Sequence, residues 1–173
     1  SEDGTLVFFA DEQLQIDAGA LGKGFVAEKI KKELQTMGCE SFLLNLGGNT
    51  VAHGTKPDGT SWLAGIKNPT DGIGFDGSVK LSGYSLVTSG SYQRYFTVGA
   101  TNYHHIIDPE TLYPAEGFRS VSVIGKNSAQ GDALSTALFC MTVEEGMALV
   151  ATLPETEASW VLSDGTRYPS DGW

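Results

Sequence analysis

The sequence predicts a single α+β domain in which a mostly antiparallel sheet packs against about three helices. Many short apolar segments of strand length alternate with turns, and three helical segments lie among them without regular strand–helix alternation, a pattern typical of α+β folds. The chain has 173 residues, of which 40% are hydrophobic. A domain of this size buries about 70% of the surface that its unfolded chain exposes. We therefore expect one hydrophobic core over residues 1–173.

Three segments carry helix signals. Residues 22–37 place apolar side chains at helical spacing and lysines on the opposite face, which predicts an amphipathic helix that ends at Gly38. Its apolar positions are Phe25, Val26, Ile30, Leu34 and Met37. Residues 130–141 and 143–153 are the second and third predicted helices, and the third follows an acidic start at Glu144 and Glu145.

The predicted strands are short apolar segments bounded by turn residues. They are residues 6–9, 14–16, 42–46, 50–53, 62–66, 79–81, 84–88, 103–107, 120–124, 160–162 and 166–168. Residues 55–60 contain Pro and Gly and predict a hairpin-like turn between strands 50–53 and 62–66. Asp164 and Gly165 predict a second hairpin between the last two strands.

The charge balance excludes some classes of partner. Lys and Arg number 11 against 21 Asp and Glu, so the formal net charge is −10. Nucleic acids and anionic membrane surfaces require clustered Lys and Arg, so we expect neither as a partner. An anionic phosphate ligand is still compatible, provided that a metal ion or a helix N-terminus supplies positive charge locally.

The first candidate motif is the glycine-rich stretch over residues 17–24, which joins a predicted strand to the first predicted helix. Glycines let backbone N–H groups approach a phosphate at a helix N-terminus, so a phosphate-binding loop is one interpretation. The stretch is not a Walker A loop, because Gly24 follows Lys23 where that motif has Ser or Thr. Residues 22–27 fit the dinucleotide pattern G-x-G-x-x-A, but the next strand lacks the acidic residue that holds a ribose. A plain strand–turn–helix connection is the alternative.

Two further motifs combine residues that carry chemistry. Asp132 and Thr136 are four apart on the second predicted helix, so their oxygens lie on one face and suit Mg²⁺. The alternative is that Asp132 caps a helix and Thr136 bonds back to its own backbone. His104 and His105 are neighbours on a predicted strand and point to opposite faces, so only one of them can enter a given site as a general base.

These motifs follow one another in a specific order. They are Asp17-x-Gly19-x-x-Gly22-Lys23-Gly24, Asn45-Leu46-Gly47-Gly48, Thr88-Ser89-Gly90-x-Tyr92, His104-His105-Ile106-Ile107-Asp108-Pro109 and Asp132-Ala133-Leu134-Ser135-Thr136-Ala137-Leu138. The order resembles the ApbE-type flavin transferases, also called FAD:protein FMN transferases and formerly thiamine biosynthesis lipoproteins. The resemblance extends over residues 16–141, and the chain resembles the C-terminal half to two-thirds of a typical member.

The resemblance implies an ApbE-like fold and a Mg²⁺-dependent reaction on FAD. FMN moves to a Thr or Ser hydroxyl of an acceptor flavoprotein, and AMP leaves. Some members instead hydrolyse FAD to FMN and AMP, so an FAD pyrophosphatase is an alternative. A noncatalytic remnant that binds flavin or a protein partner is another, because the chain lacks the N-terminal portion that closes over FAD in the family.

The family's functional residues match specific positions here. The metal ligands match the Ala20 carbonyl and the side chains of Asp132 and Thr136. Contacts to the flavin dinucleotide match Asp17, Lys23 and the backbone near Ile107. The essential histidine matches His105, which would act as the base.

Three positions depart from the family pattern, and the compartment follows from resemblance alone. Asn49 stands where the family usually has Asp, Ser91 where Asp often follows Thr-Ser-Gly, and Leu112 where a turn glycine is usual. Relatives are commonly exported and often lipid-anchored, so we expect an extracytoplasmic or periplasmic protein.

Overall fold

A computed structural model describes residues 4–70 and 72–173 and contains three helices and ten strands in that part of the chain. The helices are α1 (Gly22–Thr36), α2 (Ser128–Phe139) and α3 (Val143–Ala151). The strands are β1 (Phe42–Asn45), β2 (Asn49–His53), β3 (Trp62–Lys67), β4 (Phe75–Leu81), β5 (Ser85–Gly90), β6 (Tyr95–Val98), β7 (Thr101–His104), β8 (Phe118–Gly125), β9 (Glu157–Leu162) and β10 (Arg167–Pro169). Within these described ranges, no helix has the length and apolar character needed to cross a bilayer.

A six-stranded antiparallel sheet forms the centre of the fold, in the order β1-β2-β5-β8-β9-β10. Two separate hairpins, β3–β4 and β6–β7, are also antiparallel. This arrangement confirms the prediction of an α+β fold with a mostly antiparallel sheet and three helices.

The core lies on both faces of the central sheet because successive strand residues point to opposite sides. On one face, α2 and α3 cover β8 and β9, and the fully buried Phe139 and Trp160 form the centre of that cluster. On the other face, the β3–β4 hairpin packs over Ala52 and Leu86. The sheet therefore separates the helices from the β3–β4 hairpin.

Several predictions about the strands are wrong. Residues 6–9 and 14–16 form no strand, and their apolar side chains are exposed, since no described strand pairs with them. The hairpin expected between residues 50–53 and 62–66 does not form, because β2 pairs with β1 and β5 whereas β3 pairs with β4. Strand β6 was not predicted from the sequence, and β7 ends at His104 rather than continuing to residue 107. The hairpin of the last two strands is confirmed as β9–β10.

Helix α1 packs through small residues rather than through its apolar stripe. Gly24 and Ala27 are its buried residues, while Phe25, Val26 and Ile30 are exposed. A Cβ atom on Gly24 would lie 2.7 Å from both the Ala129 Cα and the Asp132 Cβ of α2. The close approach of α1 to α2 therefore decides which face of α1 is buried, and the amphipathic pattern does not.

Candidate functional site

The loop before α1 is held by its own backbone and by Asp17. The Asp17 Oδ1 atom accepts a hydrogen bond of 2.7 Å from the Gly19 N–H. The Ala18 carbonyl accepts from the N–H groups of Leu21 and Gly22 at 3.0 and 2.8 Å. These bonds turn the chain into α1, so that Ala20 lies just before the helix and Lys23 lies in its first turn.

Asp132 lies at the N-terminus of α1, although it belongs to α2. The Gly24 N–H donates to Asp132 Oδ2 at 2.8 Å, and Lys23 Nζ lies 3.5 Å from Oδ1. The Asp132 residue is only 2% exposed, so the positive end of the α1 dipole and the Lys23 ammonium compensate a buried carboxylate. Asp132 therefore caps α1, whereas α2 itself is capped by Asn127.

The Asp132 contact changes the hydrogen bonding of Ala20. In a regular α-helix the N–H of residue 24 would donate to the carbonyl of residue 20. Here that N–H donates to Asp132, and within the described ranges the Ala20 carbonyl accepts no hydrogen bond. The Ala20 carbonyl, the Asp132 carboxylate and the Thr136 hydroxyl are oxygen donors of the kinds that a hard divalent cation prefers.

One stripe of α2 contacts three of the sequence motifs. Asp132, Thr136 and Cys140 follow one another at intervals of four residues, so they lie on one helix face over roughly 12 Å. We call these three residues the α2 stripe. Asp132 contacts the glycine-rich loop, as described above. The Thr136 Oγ1 atom lies 3.3 Å from Ser89 Oγ, and Cys140 Sγ lies 3.7 Å from the Ile107 carbonyl. The structure therefore brings residues 17–24, 88–92 and 104–109 to a single face of α2.

Hydroxyl groups link β5 to this stripe. Ser89 Oγ lies 2.8 Å from the Oγ of the fully buried Ser135, which also donates to the Asp132 carbonyl at 3.1 Å. Thr136 Oγ1 donates to the same carbonyl at 3.3 Å, so the back-bonding considered from the sequence is present. The contact of Ser89 was missed by sequence reasoning, because nothing in the spacing of residues 88–92 shows which helix β5 packs against.

The two adjacent histidines have different environments. The Nε2 atom of His104 lies 2.9 Å from the Ala115 carbonyl, and its Nδ1 accepts from the Ile106 N–H at 3.3 Å. Since a carbonyl only accepts, Nε2 carries the proton and both ring nitrogens are engaged. Burial lowers the pKa of His104 below its ordinary value. His104 is therefore a neutral structural histidine.

His105 is exposed and keeps one ring nitrogen available. Its Nδ1 lies 3.1 Å from the Arg94 carbonyl, which also accepts the His105 backbone N–H at 3.2 Å. Nδ1 therefore carries the proton, and the Nε2 lone pair is left to accept one. Ile107, two residues later, contacts the α2 stripe, but the described contacts include none between His105 and Asp132.

Asn49, one of the departures from the family pattern, lies under the same helices. It is fully buried, and its Oδ1 accepts a hydrogen bond from Ser128 at the start of α2. Its side-chain NH₂ has no hydrogen-bond partner among the described residues. The Asn49 side chain therefore connects the end of the β1–β2 turn to α2 by a hydrogen bond, and it places no charge there.

A model of a known protein family matches almost the whole chain. The family is described as the ApbE family, and the match extends over residues 2–160. The chain belongs to the ApbE family. The resemblance inferred from the motif order is thereby confirmed.

Curated relatives and solved structures of the ApbE family agree with this assignment. An FAD:protein FMN transferase of Treponema pallidum is 37% identical over an alignment of 177 residues. The alignment covers 96% of this chain and 49% of that protein. One from Klebsiella pneumoniae is 36% identical over 90% of this chain and 48% of its own length. The ApbE protein of Thermotoga maritima superposes with a TM-score of 0.83 at 31% identity, covering 91% of this chain and 52% of that one. The chain thus spans about half the length of the relatives that it matches.

Proposed function

We propose that this ApbE-family chain carries the catalytic part of an FAD:protein FMN transferase. FMN would move from FAD to a Thr or Ser hydroxyl of an acceptor protein, and AMP would leave. The observation that carries the proposal is the α2 stripe, where Asp132 contacts both the Lys23 ammonium and the N–H of Gly24, and Thr136 follows one turn later. Relatives that bear this activity in their names support it.

The donor set fits Mg²⁺. Mg²⁺ binds hard oxygen ligands and completes its shell with water and substrate phosphates, and this stripe offers a carboxylate, a hydroxyl and a carbonyl oxygen. Among the described residues, no group of three or more His, Cys, Asp or Glu side chains converges, so these ligands would come from a carboxylate, a hydroxyl and a backbone carbonyl instead. Bound at Asp132, Thr136 and Ala20, Mg²⁺ would neutralise charge that develops on the phosphate oxygens.

Positive charge from the chain itself would orient the FAD pyrophosphate. Lys23 lies at the first turn of α1, where its ammonium and the helix dipole both favour an anion, and its side chain is 42% exposed. Asp17 belongs to the loop before α1, and Ile107 contacts Cys140 at the other end of the α2 stripe; both would contact the rest of the dinucleotide. This local positive charge would allow a chain with a net charge of −10 to bind an anionic substrate.

His105 would act as the general base. A Thr or Ser hydroxyl is a weak nucleophile until a base removes its proton. The Arg94 carbonyl holds the proton on Nδ1 of His105, so Nε2 is the nitrogen that would take the hydroxyl proton. Because His105 is exposed, water could occupy the place of the acceptor hydroxyl, which supports FAD hydrolysis to FMN and AMP as the second candidate activity.

The test combines the purified chain with FAD, Mg²⁺ and an acceptor protein that carries a flavinylation threonine. AMP release and covalent flavin fluorescence of the acceptor on a denaturing gel are measured together, with a chelator as control. Chelator-sensitive AMP with a fluorescent acceptor band establishes the transferase, and AMP without the band establishes the hydrolase. If neither signal forms, the chain is either a fragment that does not act alone or a noncatalytic remnant, and the proposed activity of this chain is refuted.

A further inference from the structure

A cavity lies on the face of the central sheet opposite the α2 stripe. Ser89 contacts α2, whereas its neighbour Thr88 lines this cavity, because successive residues of β5 point to opposite faces. The β3–β4 hairpin lines one side of the cavity with Gly65, Lys67 and Phe75, and the cavity volume is about 600 Å³. None of the proposed metal ligands lines it, so it is distinct from the Asp132 site.

The cavity concentrates positive charge in an acidic chain. Lys67 and Arg94 line it, and none of its described lining residues carries a carboxylate. Within residues 4–70 and 72–173, neither of these cations forms an ion pair. An anionic group that accepts hydrogen bonds would pair with both cations.

Arg94 connects the cavity to the proposed base. Arg94 lines the cavity, and its carbonyl oxygen accepts hydrogen bonds from both the backbone N–H and Nδ1 of His105. A segment that contacts Arg94 in the cavity therefore lies beside the residue whose carbonyl orients the His105 ring.

We propose that this cavity binds a carboxylate side chain of the acceptor protein, close in sequence to the Thr or Ser that receives FMN. This inference rests on the proposed function. The cavity is larger than a single small anion requires, and the Phe75 ring, which lies against the Cβ-free face of Gly65, adds an apolar wall. A peptide segment with one acidic side chain fits a mixed site of this kind better than a free anion does.

The test uses short, otherwise neutral peptides with one central Thr and either Glu or Gln at each flanking position in turn. Binding to the chain is measured by fluorescence anisotropy in the absence of FAD, at peptide concentrations up to about 1 mM. For at least one position, we expect the Glu peptide to bind about tenfold more tightly than its Gln counterpart, as a charge-assisted hydrogen bond provides. The double variant Lys67→Gln/Arg94→Gln should bind both peptides equally.

Lys80→Gln is the matched control, because it removes the same charge from an exposed position of the β3–β4 hairpin that does not line the cavity. It should keep the Glu preference. Equal binding of the Glu and Gln peptides by the unaltered chain, or a Glu preference that survives in the double variant, overturns the proposal. Failure of the proposed function is distinguishable: it appears as absence of AMP release from FAD, and the binding measurement does not depend on FAD.

Discussion

Gly24→Ala tests the close contact on which the candidate site is built. The added Cβ would lie 2.7 Å from the Ala129 Cα and the Asp132 Cβ, whereas ordinary contacts begin near 3.4 Å. One of these atoms is backbone, so rotation of a side chain cannot relieve the clash, and α1 must move away from α2 by more than half an ångström. That movement stretches the 2.8 Å hydrogen bond from the Gly24 N–H to Asp132.

The expected loss in the free energy of unfolding is about 3 kcal/mol. Overpacking a close contact costs about 1–3 kcal/mol, and a weakened hydrogen bond to a buried carboxylate adds about 1.5–3 kcal/mol. The better helix propensity of Ala offsets about 1 kcal/mol of this loss in stability. For a chain of this length, such a loss lowers the melting temperature by about 6–12 °C.

Urea denaturation followed by circular dichroism measures this loss, with Gly22→Ala as the matched control. Gly22 lies two residues earlier in the same helix, and a Cβ there would meet no atom within 4 Å. The control should therefore be neutral or slightly stabilising. A Gly24→Ala variant as stable as Gly22→Ala would refute the argument that the Gly24 contact sets the position of α1.

Three further outcomes test the site itself. Asp132→Asn keeps an oxygen that accepts from the Gly24 N–H but removes the negative charge. We therefore expect a folded protein that shows no Mg²⁺-dependent release of AMP from FAD. Unchanged release of AMP would contradict the metal assignment. His105→Gln should lower transfer to the acceptor by about 10²- to 10⁴-fold with FAD affinity retained, and full transfer rates in this variant would exclude it as the base. Burial lowers the folded-state pKa of His104 below 6.5, so the unfolded chain binds the proton more readily and stability falls as the pH drops through 6.5. His104→Gln, whose amide can still donate to the Ala115 carbonyl, should flatten this dependence in melting curves between about pH 7 and 5, and an unchanged slope would assign it to other groups.

The sequence by itself determined the fold class, the three helices and most of the strands. Turn residues and apolar periodicity are local signals, and they suffice for segments whose partners are adjacent, such as the final hairpin β9–β10. The order of the motifs also determined the family. Helical spacing alone indicated Asp132 and Thr136, and the family resemblance added Asp17, Ala20, Lys23, His105 and Ile107; the roles of all seven residues stay predictions.

Only the tertiary structure decided how distant segments meet. The pairing of β2 with β5 rather than β3, and the burial of Gly24 and Ala27 instead of the apolar stripe of α1, depend on packing between elements far apart in the chain. The same holds for Asp132, which is separated by 108 residues from the helix N-terminus that it caps. Local patterns record which side chains are apolar or charged, but hydrogen bonds and close contacts across such separations exist only once the elements have packed together.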